Sequence, residues 1–259
     1  MTSFALKIIA LISMFCDHFG DAFVKHFSFL NLIGRIAFPI FAFQISEGFL
    51  HTKNIRKYFL RLGIFALISQ IPFSLFSTKF LNSSPFSLNV FFTLFIGLLG
   101  IYLFDYINKM YKFKITGSNI NQSNINISNI NEISSDTKKV KVEQFLNYFI
   151  GFVIVILLAY IAEILNTDYG FWGVIVVFMF YILKGKKLAT ALTFFALCII
   201  HYLPELILSN FHIAYILLAL CTFLSIIFIN EYNGKQGFKL KYILYIFYPL
   251  HLLLLYFIF

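Results

Sequence analysis

Residues 6–20, Leu6-Lys7-Ile8-Ile9-Ala10-Leu11-Ile12-Ser13-Met14-Phe15-Cys16-Asp17-His18-Phe19-Gly20, form an apolar run of membrane-helix character with a lysine near its start and an Asp-His pair near its end. Ionisable groups inside a membrane helix are costly, so they are rare and tend to mark a site or a conduction path. Histidine is also the side chain best suited to move protons near neutral pH. The spacing has a geometric meaning. Eleven residues turn a helix through about 1100°, three turns plus about 20°, so Lys7 and His18 share a face about 16 Å apart along the axis. They do not touch, but both can reach one long ligand. His18 and Asp21, three residues apart, can meet on that face. Asp17 points about 100° away and is expected to pair with another helix, with Arg35 a plausible partner.

Outward from this helix the rest of the chain has the same character. Of its residues 60% are hydrophobic and only 12% charged, and the mean hydropathy is +0.86. An ordinary soluble domain is about 25% charged. The chain therefore reads as an all-α, polytopic integral membrane bundle in a single domain over residues 1–259. About nine spans are expected, within a range of eight to ten: 4–24, 28–50, 58–77, 88–107, 145–165, 170–184, 188–204, 211–230 and 242–259. The sixth and seventh are short, so a re-entrant or broken path is expected there. The N-terminal run is interrupted by Asp17 and His18 and lacks a small-x-small cleavage site, so it reads as a retained helix. Residues 115–137, rich in Asn, Ile and Ser, cannot build a core and read as a disordered loop insert. Cys16, Cys198 and Cys221 fit neither a disulfide framework nor a zinc spacing, and no metal site is implied.

The net charge of +9 points to topology rather than to nucleic acid. All Lys and Arg except Lys7, Lys25, Arg35 and Lys79 fall in four alternating loops, after the second, fourth, sixth and eighth spans. This positive-inside pattern places the N-terminus and those loops in the cytoplasm and the C-terminus outside, in a cell (inner) membrane. Depth then groups the polar residues. Asp17, His18, Asp21 and Arg35 share the outer half, with Glu163, Asp168, His201, Glu205 and His212 also toward outer ends. Tyr248 and His251 lie near mid-depth. Glu47 and His51 lie at the inner end and read as an interface pair rather than a second site, and His201 and His212, at membrane ends, read as interface residues.

With these residues in view, the chain resembles the TraX family. The resemblance is carried by Leu6–Gly20, Arg35-Ile-Ala-Phe-Pro-Ile-Phe-Ala-Phe43 with Glu47-Gly48-Phe49 and His51-Thr52, Asn89-Val-Phe-Phe-Thr93, Tyr169-Gly170, Tyr232-Asn233-Gly234-Lys235 and Phe247-Tyr248-Pro249-Leu250-His251. It spans nearly the whole chain outside the Asn-rich insert. It implies an inner-membrane acetyltransferase, the named family member acetylating the N-terminus of conjugative pilin. It also implies kinship with acyl-CoA-dependent membrane acyltransferases, which carry a basic residue, ten intervening residues and a histidine in their first helix. Lys7 and His18 occupy those positions. The helix count departs from the wider group, which usually has one helix more.

The chemistry expected from that resemblance is transfer of an acetyl group from cytoplasmic acetyl-CoA to an acceptor at the outer side, a pilin-like peptide or an envelope glycan. His18 would act as general base, which typically contributes about 10²–10⁴-fold. Asp17 or Asp21 would orient the ring, and Arg35 would hold the carboxylate or stabilise developing charge. A transient acyl-His18 intermediate is an open alternative. Lys7 with the inner basic residues Arg56, Lys57 and Arg61 would bind the phosphates of acetyl-CoA. Two rival classes remain: a proton-coupled transporter using the same polar residues as a relay, and a non-catalytic scaffold for pilus or envelope assembly in which they are helix glue.

Overall fold

The computed structural model describes residues 1–24, 28–122, 130–238 and 242–259. Over these the chain forms ten helical segments: α1 (Ser3–Phe23), α2 (Phe29–Gly34), α3 (Ala37–His51), α4 (Ile55–Phe80), α5 (Val90–Gln122), α6 (Ile130–Ile164), α7 (Gly170–Ile182), α8 (Lys187–Leu208), α9 (Ile213–Asn230) and α10 (Ile243–Ile258). Seven candidate spans, with α2 and α3 counted together as 29–51, are long and apolar enough to cross a bilayer. The middle of the expected insert, 123–129, lies outside the described residues; on either side α5 runs to Gln122 and α6 begins at Ile130.

Two expected spans differ from the expectation. The second is broken at Arg35-Ile36, where α2 ends and α3 begins. Pro39 lacks the N–H that would bond the Arg35 carbonyl in a continuous helix, so a break four residues before it costs little. The seventh, expected to be short, is a full 22-residue helix that carries Pro204 near its end. The sixth is indeed short: α7 has 13 residues, about 20 Å of helix against a hydrocarbon core of about 30 Å. Length is not what holds α7 in place. Trp172, Val174, Val176, Val177, Phe178, Met179 and Phe180 are all buried, and α7 packs against α3, α5, α6 and α8. It is a core helix wrapped by its neighbours.

The outward surface is as apolar as the interior. Leu60, Ile64, Leu67 and Ile71 form an exposed stripe along α4, and Ile156, Tyr160, Leu192 and Ile200 extend the same character over α6 and α8. Such a surface suits lipid contact. Packing inside relies on close approach at small residues, the usual device where lipid and core are equally apolar. Gly97 of α5 lets Val177 of α7 come within 2.9 Å of where a Cβ would stand, and Gly34 of α2 lies directly against the Asp17 side chain of α1.

Three of the basic loops, in their described residues, meet at one end of the bundle. There Lys187 Nζ donates to the Asn230 carbonyl at 2.7 Å, Lys184 approaches Glu47 at 3.6 Å, and the first residues of the chain pair with 233–236, with Ser3 N–H donating to the Lys235 carbonyl at 2.8 Å. At the opposite end, the loop before α5 pairs with the α6–α7 loop through a bridge between Leu88 and Thr167. Leu88 N–H donates to the Asn166 carbonyl at 3.0 Å, and Asp168 N–H donates to the Leu88 carbonyl at 2.8 Å. This bridge brings Asp168 and Tyr169 to the cavity that Asp17, Asp21 and Arg35 also line. Gly34→Ala is expected to force α2 off Asp17 and lower stability by about 1–3 kcal/mol, the usual range for overpacking; thermal unfolding in detergent measures it, and an unchanged midpoint would contradict this packing account.

Candidate functional site

The polar centre is built where α1 ends and α2 gives way to α3. Arg35 Nη2 donates to both carboxylate oxygens of Asp17 at 2.7 Å. Arg35 Nε donates to the Asn31 carbonyl at 3.4 Å. Asn31, itself buried, donates through Nδ2 to Asp21 at 2.7 Å and to Asp17 Oδ1 at 3.2 Å. Its carbonyl oxygen Oδ1 in turn accepts from Ser28 Oγ at 2.8 Å and from Ser28 N–H at 3.0 Å. The reason for this cluster is local. The break at Arg35 frees its side chain to lie along α1, and the missing Cβ at Gly34 lets Asp17 approach. Asn31 satisfies both aspartates at once, where two carboxylates close together would otherwise repel.

His18 is not held by either aspartate. Its Nδ1 lies 2.8 Å from Nε2 of His251 on α10, with ring centroids 5.0 Å apart. The other nitrogen of His251, Nδ1, lies 2.8 Å from the Phe247 carbonyl. A carbonyl only accepts, so His251 Nδ1 carries a hydrogen, and its Nε2 in the neutral ring accepts. His18 Nδ1 is then the donor of the inter-ring bond, which leaves a lone pair on His18 Nε2. The chain Phe247 carbonyl, His251, His18 thus sets the tautomer of each ring in the way a carboxylate would otherwise do. Phe76 packs edge-on against His18 at 5.2 Å, and Tyr248 lies 6.3 Å from it.

Two cavities approach this pair from opposite ends, called inner at the end of the basic loops and outer at the other, after the sidedness expected from the sequence. The outer one, of about 610 Å³, is lined by Asp17, His18, Asp21, Arg35, Glu163, Asp168, Tyr169, Trp172, His201 and Glu205 among others. One wall is aromatic: Phe38 stacks on Tyr169 at 3.7 Å, and Trp172 stacks on His201 at 4.3 Å. The Trp172 indole N–H donates to the Leu197 carbonyl at 2.9 Å, which fixes its plane. The inner cavity, of about 460 Å³, opens among the basic loops. Lys7, Lys53 and Arg61 lie on its lining, together with Ser3, Gln44, Tyr58 and Tyr245, and its deep end is closed by Met14, Val90, Phe91 and Tyr248. Arg61 is sandwiched near Tyr58 and Tyr245, 5.3 and 5.5 Å from their ring centres.

Against the residues expected from sequence, the structure brings together His18, Asp17, Asp21 and Arg35 around one cavity, but it divides their contacts: Asp17 serves Arg35 and Asn31, Asp21 serves Asn31, and none of the described hydrogen bonds joins either to His18. Of the four cations expected to hold phosphates, Lys7 and Arg61 line the inner cavity, whereas Arg56 and Lys57 are exposed on the first turn of α4 outside its lining. Glu47 pairs with His51 at 3.5 Å and with Lys184. His212 caps α9 by accepting from Ala214 N–H at 3.3 Å, whereas His201, expected only at an interface, belongs to the outer cavity. Sequence reading placed His251 at mid-depth but did not connect it to His18, and it did not single out Asn31. Their usable signal was depth in a helix; the partner could not be read that way.

The fold and this centre define a multi-pass helical membrane protein with a histidine pair enclosed between two cavities. The chain belongs to the TraX family: the family's model, described as TraX protein, matches residues 3–259. The chain is similar to a probable fimbrial assembly protein of Dichelobacter nodosus, serogroup H1, at 35% identity over 39% of this chain and 45% of that protein. It is also similar to an uncharacterized protein of Rickettsia prowazekii (strain Madrid E), at 29% identity over 38% of this chain and 36% of that protein. The chain thus spans less than half the length of these curated relatives. No solved structure matches it.

The Asp17–Arg35 pair is partly shielded, with side-chain exposures of 12% and 27%. Asp17→Ala leaves the guanidinium without its carboxylate and is expected to cost about 1–3 kcal/mol, below the usual figure for a fully buried pair because both side chains are partly exposed. Asp21→Ala leaves that ion pair intact and is expected to cost less than Asp17→Ala. Thermal unfolding of the two variants in one detergent tests the order.

Proposed function

We propose that this protein is an integral-membrane acetyltransferase that takes its acetyl group from acetyl-CoA on the cytoplasmic side and delivers it to a nucleophile on the outer side. The observation that carries the reading is the histidine pair between two cavities. The inner cavity carries cations and ends at Tyr248, 6.3 Å from the His18 ring; the outer one has His18 on its lining. A carrier molecule with a charged head and a long thiol arm fits the inner cavity in kind: Lys7, Lys53 and Arg61 suit phosphates, and the largely apolar deep end suits the arm and its thioester. Lys7 and His18 sit about 16 Å apart along α1, a distance that divides phosphate binding from chemistry.

In this reading an acceptor amine or hydroxyl in the outer cavity attacks the thioester carbonyl carbon. His18 Nε2 accepts the proton the acceptor loses, and the carbonyl electron pair moves onto oxygen. When the pair returns, the carbon–sulfur bond breaks, and the thiolate takes the proton from His18 to leave as free CoA. His251 holds the donor side of His18 and stabilises its protonated form through the shared hydrogen bond. Arg35 and Asp17 shape the acceptor side without touching His18.

The pilus setting comes from the family and from the relative named for fimbrial assembly, which favours a pilin-like peptide as acceptor. An envelope glycan is a second reading favoured by one observation, the stacked Tyr169, Trp172 and His201 wall beside carboxylates, a lining able to stack on a sugar ring and accept from its hydroxyls. Acetylation of candidate peptides and glycans in vesicles, followed by mass spectrometry, separates the two.

Purified protein in detergent is expected to bind labelled acetyl-CoA and to transfer or slowly hydrolyse its acetyl group. His18→Ala is expected to abolish transfer while the bundle still folds. His251→Ala is expected to reduce kcat by about 10²-fold, within the span of general-base effects, with little change in acetyl-CoA affinity. Lys7→Ala and Arg61→Ala should weaken acetyl-CoA binding and spare the fold, whereas Arg56→Ala should leave it near the parent value. Unchanged transfer in His18→Ala would remove the general-base assignment. Solute flux in vesicles with no acetyl-CoA binding would identify a carrier instead.

A further inference from the structure

We propose that the hydroxyl of Tyr248 is the hydrogen-bond donor that holds the acyl donor's carbonyl oxygen during transfer, making Tyr248 a catalytic residue beside His18. The proposal rests on the acetyltransferase reading above and goes beyond it in assigning the group that receives the developing negative charge.

Three independent observations carry it. Tyr248 is 2% exposed, and its O–H finds no acceptor: Oη is one of four buried side-chain polar atoms without a hydrogen-bond partner by distance and angle among the described residues, and the backbone group that approaches it, the Val90 N–H, is a donor that can meet only its lone pair. A buried hydroxyl without a partner is an uncompensated loss of hydration, and such a group in a native bundle asks for a ligand. Second, the residue lines the inner cavity at its deep end, where the thioester of an arm entering from the basic loops would arrive. Third, its ring stands 6.3 Å from that of His18 and 5.8 Å from that of His251, so one small acyl group can lie within reach of both the phenol and the base. Phe91, edge-on at 5.0 Å, restricts the ring's swing.

The same cavity holds a second orphan. Gln44 accepts from Ser3 Oγ at 2.8 Å through its carbonyl oxygen, while its Nε2 is buried and unpartnered. Both orphan groups in this cavity can donate, and both would be satisfied by carbonyl oxygens, one near the entrance and one at the deep end. A thiol arm that carries amide carbonyls and ends in a thioester presents that pattern.

The step balances without a further reagent. The acceptor lone pair forms a bond to the thioester carbon, the carbon–oxygen π pair moves to oxygen, and Tyr248 O–H donates to that oxygen while keeping its proton. The pair then returns, the carbon–sulfur bond breaks, and the acceptor's proton passes by way of His18 to sulfur. Donors aimed at an oxygen that gains charge typically contribute about 10²–10³ to kcat.

The test is Tyr248→Phe, which removes only the hydroxyl and keeps the ring. The expected result is a fall in kcat of about 10²-fold or more, with acetyl-CoA Kd weakened several-fold at most, through loss of the bond to the carbonyl, and thermal stability equal or higher, because a buried unpaired hydroxyl is gone. A packing role predicts no change in kcat, so a variant that turns over within about twofold of a working parent overturns the proposal while leaving the acetyltransferase reading in place. A parent that neither binds nor consumes acetyl-CoA overturns both. If the variant does not fold, the parent alone decides: it should bind S-acetonyl-CoA, which keeps a carbonyl, several-fold more tightly than S-propyl-CoA, which has none. Equal affinity for the two would overturn the assignment.

Discussion

The structure depends on one constraint: a guanidinium and two carboxylates are held inside an apolar bundle and must be satisfied there. Arg35 meets Asp17 through both oxygens, and Asn31 connects Asp17 with Asp21. A charge in the membrane without such partners is too costly to keep. Satisfying it demands a broken second span, a glycine at position 34 and a buried asparagine at position 31. Each of these is unfavourable or neutral alone. Together they fix how α1, α2 and α3 meet, and with that the rim of the outer cavity.

A second consequence follows from the first. With both aspartates engaged by Arg35 and Asn31, neither is free to orient His18, and the ring finds its partner on α10 instead. A histidine pair is a softer device than a carboxylate–histidine pair. One ring donates and the other accepts, so the pair is fully bonded only when its protons are distributed in one way. The Phe247 carbonyl decides that distribution by accepting from His251. The tautomer and orientation of the His18 ring are therefore set by the main chain of the last helix. Tyr248, one residue after Phe247, is placed by the same turn, so a single segment of α10 positions both the histidine's partner and the free hydroxyl at the end of the inner cavity.

The short helix α7 joins the core of the bundle to the outer cavity. It is too short to span by itself and too apolar to face water, so its neighbours enclose it. Its N-terminal end brings Tyr169, Gly170 and Trp172 to the outer cavity, where the bridge between Leu88 and Thr167 holds their loop. The aromatic wall there is a by-product of the core continuing into the loop: Phe38 and Trp172 are core residues whose stacking partners, Tyr169 and His201, line the cavity.

By itself, the sequence determined the all-helical membrane class, the positions of most spans, the alternation of basic and non-basic loops and the shared depth of Asp17, His18, Asp21 and Arg35. All of these follow from hydropathy and helical rise, which act along the chain and need no partner. It also made Asp17–Arg35 a plausible pair, since opposite charges at one depth have few other ways to be satisfied. Only the tertiary structure decided that His18 meets His251, 233 residues away, that Arg56 and Lys57 stay outside the inner cavity, that His201 joins the outer one, and that the Tyr248 O–H finds no acceptor among the described residues. The physical reason is that a soluble helix marks its buried face by polarity, whereas a helix in lipid is apolar all round. Which face turns inward is settled by close packing and by the pairing of a few polar groups, and those depend on all the helices at once.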